Sequence, residues 1–406
     1  MQHKYNGVPS IHIPFLFGLV HLRAHMARLV NQGAYGCLYH PGLRCNGSPM
    51  DDLRYATKLV VQDEVAENEV VVGNAVKNIV NYSVNFVPVI DTCTVNLGKV
   101  RRGALDRCDV VTGQTPNPKP KPKFVLMKMP YIDSLYFYDY IGRMGNNKKK
   151  IISCIFDTYT YLIESIERLV EHGIVHYDLK LQNILMNLKT DTPIIIDFGL
   201  SMIIPKKMNV GAPFWQLHFY KYSPEYYVWP LEAHVINYLW NKAPDPDGGL
   251  SRADVEAICD TYVNANHALN IFSTGFRARY RKACIDHCDQ WVGVPRDAAC
   301  AGLAAGWHTW DNYSLSIAYL QIIGFVSQTG FVDNALLVKY VQLLLTNVHP
   351  DPDRRKTAAD TKRAFTDLFY MNERVEMYDN IVERFNLDAF QQNSTIDNTI
   401  SHPPIR

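Results

Sequence analysis

Hydrophobic and polar positions follow two different periods along the chain. Before residue 131 the apolar residues come in short β-branched runs, Leu29–Val30, Tyr55–Val61 and Phe86–Ile90, separated by turn residues, and Phe124–Pro130 continues the series. Runs of that length predict strands, so residues 20–130 are expected to form a small strand-rich lobe. From Ser153 onward Ile155, Tyr159, Leu162, Ile166 and Leu169 recur at three- and four-residue spacing, which puts them on one face of a helix. Residues 131–385 are therefore expected to form a second, mostly helical lobe, and the fold class is α+β. The run Thr112–Lys123, TGQTPNPKPKPK, alternates four prolines with polar residues and reads as an extended, solvated loop. Asn241–Gly306 is rich in Ala, Gly, Asp and Pro around short helical pieces. It reads as an insertion, taken as 232–306. Residues 1–19 form an extension and 386–406 a polar tail.

Composition narrows the class. Hydrophobic residues make up 47% of 406 and charged residues 20%, while 41 Lys+Arg against 40 Asp+Glu leave a net charge of +1, which excludes bulk disorder and a nucleic-acid-coating protein. The apolar stretch Ile11–Leu22 carries His12 and His21 and is too short for a membrane span. Nine cysteines without regular spacing read as reduced thiols, which implies a reducing, cytoplasmic compartment.

The chemistry concentrates between His172 and Ser201. There His176-Tyr177-Asp178-Leu179-Lys180 is followed by Asn183 and, after the strand Ile194–Ile196, by Asp197-Phe198-Gly199. Phosphoryl transfer from a nucleotide needs a carboxylate to orient the attacking hydroxyl and hard oxygen ligands for Mg²⁺. Asp178 suits the first task, Asn183 and Asp197 the second. The bland alternative, a buried strand ended by a chance turn, does not account for two spaced motifs in this order.

With these motifs the chain resembles the eukaryotic-type protein kinases, and the other parts of that family follow in order. Leu29–Leu38 resembles the glycine-rich loop, with Gly33 and Gly36 retained and Asn31 in place of the first glycine. Ala56-Thr57-Lys58 looks like the strand lysine that contacts the α- and β-phosphates. Its carboxylate partner is expected on the next helix, where Glu64, Glu67 and Glu69 compete. Glu69 is favoured because Val72, Gly73 and Val76 continue its face, with Glu67 as the alternate. Downstream, Ser223-Pro224-Glu225 is similar to the motif closing the activation segment, Asp311 to the helix aspartate holding the catalytic loop, and Asp351–Arg355 to the late Asp-Pro-x-x-Arg motif. A buried Glu225–Arg355 pair is the expectation.

The resemblance implies a two-lobed kinase fold binding ATP and Mg²⁺ in its cleft and acting on protein substrates. Lys180 matches the serine/threonine form of the catalytic loop and implies contact with the γ-phosphate. The wording Gly36–Pro41 and Ser223–Glu232 is similar to the divergent kinases of large nucleocytoplasmic DNA viruses, which would place the protein in host cytoplasm or in a virion. Adenine recognition falls on Phe124–Pro130. Because Pro130 has no N–H, the register with Leu126 as gatekeeper is preferred, making Met129 the donor and Met127 the carbonyl acceptor, and Leu38 lines the nucleotide. Tyr177 replaces the arginine that reads a loop phosphate in many kinases. With only Ser201, Tyr220, Tyr222 and Ser223 between Gly199 and Pro224, activation by loop phosphorylation is not expected. Cys284, Cys288 and His287, with Cys259 and Cys300, lack the spacing of a zinc ribbon or finger. Lys148–Lys150 reads as a solvated helix start and Tyr136–Tyr140 as packing of the second lobe. Rival readings are a small-molecule or lipid kinase and a kinase-like scaffold.

Overall fold

The computed structural model describes residues 27–33, 36–113, 122–205, 210–243, 249–326, 334–369 and 375–397. The extension 1–19, most of the proline-rich loop and the end of the tail lie outside them. In chain order the principal elements are strands β1 (Leu29–Gly33), β2 (Gly36–Tyr39) and β3 (Tyr55–Val61), helix α1 (Glu64–Val76), strands β4 (Phe86–Val87), β5 (Asp91–Val95), β6 (Phe124–Pro130) and β7 (Ser134–Tyr136), and helix α2 (Lys148–Glu171). Then come β8 (Ile174–Val175), β9 (Ile184–Asn187), β10 (Thr192–Ile196) and β11 (Met202–Ile203), and helices α3 (Leu231–Asn241), α4 (Arg252–Ala265), α5 (Thr274–Cys288) and α6 (Trp310–Val326). They divide into two compact units, one within Met1–Val61 and Thr92–Tyr131, the other within Gln62–Asp91 and Ile132–Arg406.

Unit 1 is built on one sheet with strand order β1-β2-β3-β6-β5. β3 is its centre: Lys58 pairs with Leu38 of β2 on one side and Met127 of β6 on the other. Its buried face, with Tyr39, Leu59, Phe124 and Leu126, packs against Val95, Val100 and Leu105. Two disulfides close the unit, Cys37–Cys108 and Cys45–Cys93, each with Cα atoms 5.8 Å apart. The expectation of nine reduced thiols is thus corrected. Cysteine spacing is irregular along the chain because the bridges join sheet to loop across 71 and 48 residues, so only the folded sheet brings the partners together.

Unit 2 is organised around α2 and α6. Ile155, Tyr159, Leu162, Ile166 and Leu169 of α2 are buried as their spacing predicts, and nearly every residue of α6 is buried. A short sheet β4-β10-β9-β7 and the pair β11-β8 carry the loops described below. α1 belongs to this unit, its buried face running Ala66, Glu69, Val72, Gly73 and Val76. A Cβ on Gly73 would lie 2.7 Å from Val89 O, so close approach of the two backbones requires glycine there. The segment read as an insertion forms regular helices, tied to the core where Tyr262 Oη donates to Tyr313 Oη at 2.7 Å and Tyr280 Oη to Val348 O at 2.6 Å. Among the described residues no helix is long and apolar enough to cross a membrane.

Candidate active site

The buried strand β8 delivers the chain to His176 and Tyr177, where it turns sharply. Tyr177 has φ of 64°, a left-handed conformation that costs a non-glycine residue roughly 1–3 kcal/mol and persists only when its surroundings impose it. Here they do. Asp311, 2% exposed on α6, accepts from His176 N at 2.7 Å through Oδ2 and from Tyr177 N at 2.9 Å through Oδ1. Burial pushes its carboxyl above the ordinary range, against the lowering pull of His176 and the two N–H donors. Trp229 Nε1 donates to Tyr177 O at 2.8 Å, and the two rings stack with centroids 4.9 Å apart. Asp311 thus holds the turn as the sequence suggested, and Tyr177 has a packing task of its own.

The turn presents a buried polar cluster. Asn183 Nδ2 donates to Asp178 O at 2.8 Å and to Asp178 Oδ2 at 2.9 Å, while Lys180 Nζ donates to Asp178 Oδ1 at 3.2 Å. Asp178, Lys180 and Asn183 are 7%, 9% and 4% exposed, so three polar side chains are held by one another with little water between them. Tyr226 completes the cluster: its Oη donates to Asp178 Oδ1 and accepts from Lys180 Nζ at 3.2 Å. Lys221 lies in the same field. Burial lowers its pKa, and the Asp178 carboxylate opposes that shift.

β10 ends at Ile196, and Asp197 after it is the second residue at this site in the left-handed region, with φ of 64°. His176 Nε2 donates to Ile196 O at 3.0 Å, joining the two loops, and Phe198 is buried edge-on against Phe86. A Cβ at Gly199 would lie 3.3 Å from Asp197 Oδ1 and 3.6 Å from Glu69 Oε2, so both carboxylates border the same glycine. Of the three acids on α1 considered above, Glu69 is buried while Glu64 and Glu67 face solvent.

The remaining sequence-predicted residues lie on unit 1. Gly33 ends β1 and Gly36 begins β2; a Cβ on Gly36 would sit 2.7 Å from Val60 Cγ1 and 2.8 Å from Leu59 O. Ala34 and Tyr35 between them lie outside the described residues. Asn31 is exposed, its Oδ1 accepting from Gln32 N at 2.8 Å, and Leu38 is half-buried on β2. Lys58 is half-buried on β3, Met127 fully buried opposite it, and Met129 half-buried opposite Ala56. The β3–β6 ladder continues to Pro130, so both methionines belong to a paired strand.

The expected Glu225–Arg355 pair does not form. Arg355 Nη1 and Nη2 instead donate to Glu232 Oε1 and Oε2 at 2.9 and 2.8 Å, with both side chains at most 1% exposed. The reason is placement: Glu225 sits on an exposed turn, whereas Glu232 lies in the first turn of α3, a helix buried on almost every side. The segment beginning at Asp197 therefore closes at Glu232 and includes Tyr226 and Tyr227. Sequence reasoning missed Glu232, Trp229, Lys221 and Tyr226. The available signal was Pro230-Leu231-Glu232, a proline before an apolar helix whose first turn holds a single acid.

The donor set suits a hard cation shared with phosphate oxygens. Asn183 spends its amide nitrogen on Asp178, which leaves the carbonyl oxygen as the atom it offers, and Asp197 adds a carboxylate. Among the described residues no group of three or more His, Cys, Asp or Glu could hold a metal ion by itself. No curated protein matches the chain. Residues 116–230 match the family model for the protein kinase domain, a stretch that includes β6, the Asp178 cluster, Asp197 and Tyr226 and stops short of Glu232. Lys58, Glu69 and the glycine-rich strands precede it. The match covers 115 of the 406 residues and is a likeness to that domain.

Proposed function

We propose that the chain is an ATP- and Mg²⁺-dependent protein kinase that phosphorylates Ser or Thr hydroxyls on protein substrates. The observation that carries this reading is the buried Asp178–Lys180–Asn183 set hung from Asp311, within the stretch that matches a protein kinase domain. Asp178 Oδ1 orients the attacking hydroxyl and receives its proton, and Lys180 meets the γ-phosphoryl oxygens. Asn183 and Asp197 are the proposed cation ligands. Mg²⁺ would neutralise charge on the phosphate oxygens as it shifts to the leaving group. In the same reading Lys58 contacts the phosphates with Glu69 as its partner, Asn31, Gly33, Gly36 and Leu38 line the nucleotide, and Met127 and Met129 recognise adenine. Serine/threonine specificity rests on Lys180, and the viral placement rests on the wording around Gly36 and Ser223. The proposed location is host cytoplasm or an assembled particle, and the two disulfides favour the particle.

Incubation with radiolabelled ATP and candidate proteins, followed by phosphoamino-acid analysis, tests the reading. Labelled phosphoserine or phosphothreonine is the expected result, and failure to transfer phosphate to any acceptor would refute it. Mg·ATP should also raise the melting temperature by mass action, and Asp197→Asn should remove the Mg²⁺-dependent part of that rise. An unchanged shift in Asp197→Asn would take Asp197 out of the metal role.

A further inference from the structure

A cavity of about 80 Å³ opens in unit 2 between the turn Tyr222–Pro224 and the helices α3 and α4. His234 and Asn237 of α3, 4% and 2% exposed, form its floor, and Ala257 of α4 is exposed at its rim. Each floor residue brings one polar atom that has no hydrogen-bond partner among the described residues, His234 Nε2 and Asn237 Oδ1. Both atoms are acceptors. Asn237 Nδ2 donates to Ala233 O at 2.9 Å and to Tyr177 Oη at 3.3 Å, which turns the amide so that its oxygen is the atom left over. Burial holds the His234 ring neutral, its pKa lowered to about 4, and the backbone at Tyr226 and Trp229 hydrogen-bonds the ring in the direction given by a carbonyl that accepts from N–H. The proton therefore sits on Nδ1 and the lone pair on Nε2.

Residues three apart on a helix share a face, with Cβ atoms about 5–6 Å apart, so one group with two donors reaches both acceptors. A single water offers two donors but needs only about 10–15 Å³. The walls leave further waters little to bond: Pro224 and Ile258 are apolar, Thr261 Oγ1 donates back to Ala257 O at 3.0 Å, and Tyr238 Oη donates to Asp254. The space is about half of the ~150 Å³ that admits benzene, so the enclosed part of a ligand is smaller than that ring. Its charge is set by the lining. No carboxylate lines the cavity among the described residues, and the Lys242 ammonium lies 4.9 Å from the centre of the Tyr222 ring, so a cationic donor would be buried beside a like charge with no counter-charge. An anion would meet two lone pairs. We propose that this cavity is a binding site for small neutral molecules ending in a primary carboxamide or urea, whose N–H groups donate to His234 Nε2 and Asn237 Oδ1 while the carbon part rests on Pro224 and Ile258. The inference goes beyond the kinase reading and does not depend on it.

The test titrates the full chain with acetamide and with acetone, which match in size and shape and differ in the two N–H donors, and follows binding by saturation-transfer NMR and by the nitrogen resonance of His234 Nε2. Nucleotide is absent throughout, so failure leaves the kinase reading untouched. Acetamide should bind more tightly than acetone by about tenfold or more, because acetone leaves both buried acceptors unmet. Acetamide should also move the Nε2 resonance in the direction of an accepted hydrogen bond, and acetone should not. Ala257→Leu narrows the rim at an exposed position, away from both acceptors, and should weaken both ligands. His234→Phe keeps a ring on the floor without its lone pair and should erase most of the preference for acetamide. Equal affinities in the wild-type chain, an unmoved Nε2 resonance, binding that Ala257→Leu leaves unchanged, or a full preference kept by a folded His234→Phe protein would each overturn the inference. No detectable acetamide binding would overturn it as well and assign the two acceptors to bound water.

Discussion

The two compact units hold themselves together by different means. Unit 1 has a core of ten buried residues among those described, and two covalent bridges, Cys37–Cys108 and Cys45–Cys93, join its strands to its loops. Unit 2 has a far larger core, and its five cysteines, Cys154, Cys259, Cys284, Cys288 and Cys300, are all free. It can instead bury charge: the Glu232–Arg355 pair, Asp311 and the Asp178–Lys180 contact all lie inside it. Small units bury a smaller fraction of their surface and gain most from restricting the unfolded chain, whereas a large core can support the desolvation of ions. Asp178, the carboxylate proposed to orient the acceptor hydroxyl, lies in the unit that can bury charge.

This contrast can be broken at defined points. The largest effect should come from Glu232→Gln, which leaves the buried guanidinium of Arg355 without its counter-charge and should destabilise the protein by about 3–5 kcal/mol in chemical denaturation. Glu225→Gln, on an exposed turn, should change stability by less than about 0.5 kcal/mol. Equal losses would return Arg355 to the pairing with Glu225. Next, replacing Cys37 by Ala and Cys108 by Ser should cost about 2–4 kcal/mol, concentrated in unit 1. Peptide-resolved hydrogen exchange should show lost protection in β2, β3 and β6 and unchanged protection in α2. Uniform loss across both units would mean that the bridge is not a local device.

A smaller, pH-dependent effect belongs to unit 2. His234 is buried on α3 with Nε2 lacking a hydrogen-bond partner, and burial pushes its pKa from 6.5 down to about 4. The folded state therefore resists protonation while the unfolded chain accepts the proton. Stability from this group is complete above pH 6.5 and falls as pH drops toward 4, by at most about 3 kcal/mol. His234→Gln should flatten that acid limb in a pH series of denaturation curves, and an unaltered limb would assign it to other groups.

What could be read from the sequence was local or periodic. The stripe Ile155–Leu169 marks the buried face of α2, and the inward side of α1 picks out Glu69 because both depend on helix geometry alone. Asp178 and Asn183 were singled out for types and order that suit phosphoryl transfer, and the structure brings their side chains together. The disulfides were not, because each joins positions 71 or 48 residues apart through a sheet register that composition does not encode. Glu232 was passed over for Glu225 because two acids seven positions apart look alike until one is found on a buried helix. Tyr226 stood only as part of the stretch Ser223–Glu232. Its position against Asp178 depends on the turn after Ser223 and on Trp229 packing beside it.

Asp178→Asn tests the central claim most directly. The variant keeps the shape of the side chain and an oxygen that can accept from Asn183, so the fold and the Mg·ATP-induced rise in melting temperature should persist. It loses the charge that receives the acceptor proton, a loss of roughly 10²–10⁴-fold for a positioned general base, so phosphate transfer to every acceptor should collapse by that factor. A folded Asp178→Asn protein that transfers phosphate at the wild-type rate would contradict the assignment of this cluster as the site of transfer.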